Sequence, residues 1–129
     1  MQKYKLLKED TIIIAGKTLY RIMALTSIAK HNVSIGDKGG YIENEQNLSQ
    51  IDNAWVSSNA HVWGNARVYD NARVSDDAQV YGNAQVYGNA RVYGNAQVYG
   101  NARVSGHAHV SDDAQLSGDE WVSGYAQVA

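Results

Sequence analysis

A strict period of six constrains this chain more than any other feature. From Ala54 to Ala129 one phrase is written repeatedly, NARVYG alternating with NAQVYG. Steps of six from Ala54 land on Ala as far as Ala126, with Glu120 the exception; steps of six from Val56 land on Val as far as Val128, with Leu116 the exception. A helix would scatter this period around its surface, whereas in extended backbone Ala and Val, two apart, share one face and the residues between and after them share the other. The pair closing each unit is Gly-Asn, Asp-Asn, Asp-Asp or a near relative, residue types that tolerate left-handed or turn backbone. Each hexad therefore reads as a short strand plus a corner. Three of them close a triangular coil, and coils stack about 4.8 Å apart through backbone hydrogen bonds. Val fills the interior, and Ala lets the walls approach near the corners.

This series resembles the hexapeptide repeat of left-handed β-helix proteins. The resemblance covers Ala54 to Val128, departing from the commonest pattern by placing Tyr, Trp or Ser directly after the aliphatic residue. It implies an all-β fold: a left-handed parallel β-helix with a β-rich N-terminal cap. Residues 1–53 are expected to form the cap and an irregular first coil, and residues 54–129 the regular column. The Tyr-Gly-Asn-Ala wording, with GDKGGYIENEQNLS at Gly36 to Ser49, is also similar to small phage and prophage proteins of hexapeptide-repeat, polymer-forming type.

Composition narrows the chemistry. Cysteine is absent, which excludes a disulfide framework and thiolate chemistry. No apolar run is long enough for a membrane span, and the polar start MQKYKLLKED does not read as a secretion signal; a cytoplasmic protein of a bacterial host is expected. The net charge of −2 is unevenly spread, since all six lysines precede residue 39 while ten of the thirteen acids follow it. The basic head is read chiefly as a solubilising partner to the acidic column, with anion binding as the sharper option. Nucleic acid is not expected elsewhere.

In the head, Tyr4 to Lys8 alternates roughly, and Thr11 to Ile14 and Thr18 to Leu25 read as strands of a hairpin turning at Ala15-Gly16-Lys17. Met23 and Leu25 are expected to cover the top of the column, and Ser27 to Ser34 reads as loop. Gly36 to Gly40 lacks phosphate-loop spacing and is expected to be a tight turn delivering Tyr41 and Ile42 to the first coil. Leu48 and Ile51 continue an apolar beat out of step with the later period.

The period also sorts outward side chains onto three faces. The first stacks Trp55, Arg73, Arg91 and His109, and its arginines are expected to be neutralised by the corner pairs Asp76-Asp77 and Asp112-Asp113. The second stacks His61, Gln79, Gln97 and Gln115 beside Trp63, Tyr81 and Tyr99. Its flat, nearly charge-free aromatic row is the expected interaction face, because Tyr and Trp supply stiff, half-polar contact area; self-support of the wall is the plainer role of the same row. The third carries Arg67, Arg103 and Trp121 beside Tyr69 and Tyr87, a secondary candidate face. Glu120 is the one charge in an inward slot, predicting an open last coil.

Many proteins of the resembled family are acyltransferases whose histidine base sits by a loop leaving the coil. Here the period never slips, so no such loop exists. His61 and His109 fall on different faces, and His31, His61, His107 and His109 read as solvated surface residues, with no third ligand to make a metal site of His107 and His109. No catalytic residue, cofactor or metal is expected. The favoured function is a non-enzymatic phage-type platform that binds a host protein or copies of itself, as a dimer or trimer; one version is an inhibitor of a bacterial defence system such as CRISPR. The alternatives are an acyl-coenzyme A-dependent acyltransferase and a structural polymer.

Overall fold

The computed structural model describes residues 2–129. Strands β1 (Tyr4–Ile14) and β2 (Lys17–Ala24) pair antiparallel. Their two-residue turn, Ala15-Gly16, has φ of 51° and 78°, the left-handed backbone that matches strand twist. The pairing register breaks between Leu7 and Thr11, so the first two predicted segments are one bulged strand. The bulge puts Asp10 where its two oxygens accept from Arg21 Nε and from the Tyr41 hydroxyl, both at 3.0 Å.

Strand β3 (Lys38–Ile42) joins head to column. It pairs antiparallel with β2 on one side and parallel with the strand His61–Val62 on the other, setting Tyr41 beside His61 and Ile42 beside Val62. Gly39 and Gly40 therefore lie in a strand and not in a turn. A Cβ on Gly39 would sit 2.4 Å from the Val56 carbonyl oxygen, and one on Gly40 2.6 Å from that of Ala60. The glycines are there because the column's backbone comes this close; only Gly36, at φ 92°, serves the turn.

Beyond β3 each hexad contributes a two-residue strand, from Trp55–Val56 to Gln127–Val128. They stack as parallel ladders at the predicted interval of 18 residues, as in Arg73, Arg91 and His109. One wall is a seven-stranded sheet that includes the head hairpin; the others have five and four strands. The molecule is an all-β parallel β-solenoid. The inward alanines from Ala54 to Ala108 and valines from Val56 to Val110 are 1% exposed or less. Each valine withdrawn from water contributes roughly 1.5–3 kcal/mol, repeated at every rung.

Left-handed corners fall on Gly or on Ser58, Asp70, Asp76 and Asp112. Asp70 Oδ2 accepts from the Gly88 N–H at 3.2 Å and Asp76 Oδ2 from the Gly94 N–H at 3.1 Å, so an Asp corner ties itself to the next coil. Among the described residues the ion pairs are Lys3–Asp52, Lys17–Glu43 and Arg21–Asp10. Arg73 and Arg91 thus make no direct ion pair with the corner aspartates, although Asp76 shares a hollow with both.

Several head expectations also change. The first coil is irregular, with Leu48 bridged to Val68 across twenty residues, but Ile51 is 94% exposed and keeps no apolar beat. The top is closed by Tyr4, Ile22, Ala24, Ile28 and Val33; Met23 and Leu25 are only half-buried. Ser27 to Ser34 is ordered around a 3-10 turn, Ala29–His31, with Ile28 bridged to Val33. Glu120 is turned to solvent, its Oε1 accepting from the Ser117 N–H at 3.0 Å.

Candidate functional site

The second face carries the aromatic row as a stack. Trp63 lies on Tyr81 with ring centroids 4.4 Å apart and planes 8° apart; Tyr81 lies on Tyr99 at 5.1 Å and 5°. Beside them His61, Gln79, Gln97 and Gln115 run in register. The Tyr81 hydroxyl reaches Gln97 Oε1 at 3.4 Å, coupling the two rows.

The head claims the upper end of this face. Trp63 packs with Leu19 and Tyr41 and against Ile12 and Ile14, and is only 8% exposed. His61 is half-buried between Tyr41 and Trp63, ring centroids 5.9 and 6.5 Å away, and its Nδ1 is enclosed without a partner. Burial lowers its pKa, with the Asp77 carboxylate opposing the shift. The accessible wall thus consists of Gln79, Gln97, Gln115, Tyr81 and Tyr99, which bear no charge at neutral pH.

The other faces are charged. On the third, Tyr69 and Tyr87 stack at 5.0 Å, and the Tyr69 hydroxyl donates to Gln85 Oε1 at 3.1 Å. Arg67 is exposed there, beside a shallow hollow of 380 Å³. Arg103 lies 6.0 Å over Trp121, whose Nε1 donates to Ser105 Oγ at 3.0 Å. On the first face Trp55 does not project into solvent: it is 1% exposed under the head, edge-on to Tyr4 at 6.4 Å. Below it come Arg73, Arg91 and His109, the last edge-on to Tyr93 at 6.1 Å.

Three of the four histidines, His31, His107 and His109, line one cleft between head and column, while His61 lies apart on the second face. His107 stacks on Tyr125 at 4.9 Å. His31 is buried, contrary to the expectation of a solvated residue, and its Nε2–H donates to the Asn71 carbonyl at 3.1 Å. Among the described residues no three His, Cys, Asp or Glu side chains gather as a metal site, and no helix is long and apolar enough to cross a membrane.

Sequence reasoning missed the polar groups that lock the head to the column. Lys3 Nζ donates to the carbonyls of Asp52 at 2.9 Å and Ala54 at 2.6 Å; burial pulls its pKa down to about 8 despite the Asp52 carboxylate. Asn47, fully buried, donates to the carbonyls of Gly64 and Ala66 and accepts from the N–H groups of Glu43 and Asn44.

This fold and its repeat define a β-solenoid repeat protein. Within that class, the family model of the YdcK β-solenoid repeat matches residues 66–82, 84–99 and 96–112, segments each about one coil long. No curated protein matches the chain.

Proposed function

We propose that this chain is a non-enzymatic scaffold that pairs with a second copy of itself through the wall of Gln79, Gln97, Gln115, Tyr81 and Tyr99. The observation that carries this reading is the contrast between the faces. Self-association across a two-fold axis sets a patch against its own copy. Among the described residues, Arg73 and Arg91 on the first face and Arg67 and Arg103 on the third form no ion pair, so like charges would meet there. The second wall brings only amides, each both donor and acceptor, and stacked tyrosines whose side chains are already ordered. A closed trimer would need a second, different wall from each column, which favours a dimer.

Sedimentation velocity tests this. The parent is expected as a dimer, and the Tyr81→Ser/Tyr99→Ser double variant as a monomer with association weakened more than about 30-fold, its β circular dichroism unchanged. A monomeric parent at high concentration would sink the reading. The wall would then remain for a host protein, the version that the phage-type resemblance implies. A mass that climbs without limit would indicate a polymer instead.

A further inference from the structure

One strip of the column differs from the rest. Where the Ala29–His31 turn leans on the corner at Asn71, a cleft of 410 Å³ opens between head and first face. Asn71, Asn89 and His107, corner side chains of three successive coils, line it together with Arg91, His109 and Lys30. No carboxylate lines it. Arg73, in register one coil above Arg91, has a buried Nε without an acceptor. The corner carboxylates Asp70 and Asp76 are each held by a backbone N–H of the next coil, and neither forms an ion pair with Lys30, Arg73 or Arg91.

The corner amides are also left open here. At another corner, Asn65 donates to Asn83, Asn83 to Asn101 and Asn101 to Asp119, a continuous ladder. At this corner Asn53 donates to Asn71 at 3.1 Å, and no side-chain bond carries the ladder on to Asn89 or His107 among the described residues. Lys30, Arg91 and the unspent amide donors of Asn71 and Asn89 thus line one partly open cleft, with Arg73 and Asp76 beside Arg91 in the neighbouring hollow.

We propose that this cleft binds a phosphate-bearing small molecule, its phosphoryl group held between Lys30 and Arg91 and accepting from the amides of Asn71 and Asn89. The donors come from neighbouring coils about 4.8 Å apart and from the opposing head wall. A tetrahedral group with three free oxygens can accept from both directions, while a carboxylate offers its two oxygens in one plane. The volume falls within the roughly 300–1,000 Å³ of small-ligand sites. A dianion would also offset the positive field that Arg73, Lys30 and Arg91 impose on His31.

The test is titration of the full chain with inorganic phosphate, followed by amide NMR, with a short single-stranded RNA as a separate arm. Saturable shifts centred on Asn71, Asn89 and Arg91 are expected at millimolar phosphate. Arg91→Gln and Lys30→Gln should each weaken binding by about tenfold or more, with Arg103→Gln, on the other charged face, unchanged. Absence of saturation at about 20 mM phosphate, or equal loss in Arg103→Gln, would overturn the site. RNA binding more than about 100-fold tighter than phosphate and spread over the lysines of the head would overturn it in favour of a nucleic-acid surface.

Discussion

His31 shows how one side chain couples the head to the column. Its Nε2–H is spent on the Asn71 carbonyl, while its Nδ1 is enclosed without a partner. A second proton would therefore place charge where no acceptor waits. Burial, then Arg73, then Lys30 and Arg91, lower its pKa to about 4, with the Asn71 bond opposing them. Because the folded value lies below the unfolded one, the unfolded chain takes up the proton first as pH falls. Stability from this residue is full above about pH 6.5 and declines towards pH 4. Urea unfolding at about pH 7.5 and about pH 4.5 should show a loss, bounded by about 3 kcal/mol, that is absent in His31→Gln; an equal loss in both would place the acid sensitivity elsewhere. Neither the burial of His31 nor that of Lys3 or Asn47 could be read from the sequence. The contacts of His31 and Lys3 to the column span 40 to 51 residues and those of Asn47 span 17 and 19, and local pattern carries no trace of such partners.

At the scale of elements, periodicity was enough to place the column's strands and to sort the outward residues into faces. The interval of 18 residues and the stacking of Tyr81 on Tyr99 follow from the hexad alone, since identical rungs impose identical positions. The reading failed where rungs stop being identical. Trp55 and Trp63 occupy outward slots, yet the head lies over both, and no rule of period six can see a cover that comes from outside the repeat. The corner aspartates were assigned to the arginines on proximity in sequence, but the next coil's N–H lies closer to hand. The joint at β3 offers a direct check. Gly39→Ala would drive a methyl into the Val56 carbonyl and the Ile22 side chain, neither free to retreat, and should destabilise the fold by about 3 kcal/mol or more. Measured by urea denaturation, a change below about 0.5 kcal/mol would mean that β3 sits further from the column than described.

Across the whole molecule, charge is segregated: the head sums positive, the column negative, and ion pairs from Lys3 and Lys17 tie the two. If copies pair through the uncharged wall, their association should hardly respond to ionic strength. Sedimentation between about 0.05 and about 0.5 M salt is expected to give the same dimer constant within about threefold; a steep dependence would move the contact to an arginine face or to head-on-column attraction. The joint strand has a further consequence, for the order of events. A two-residue strand has too few bonds to form alone, and a stack of similar rungs grows from whichever unit is first stable. β3 is the one strand of the stack already held along its other edge, by β2. It therefore offers the first coil a row of backbone groups on a strand already braced from its other side. The hairpin is thus a template for the first rung as well as a lid.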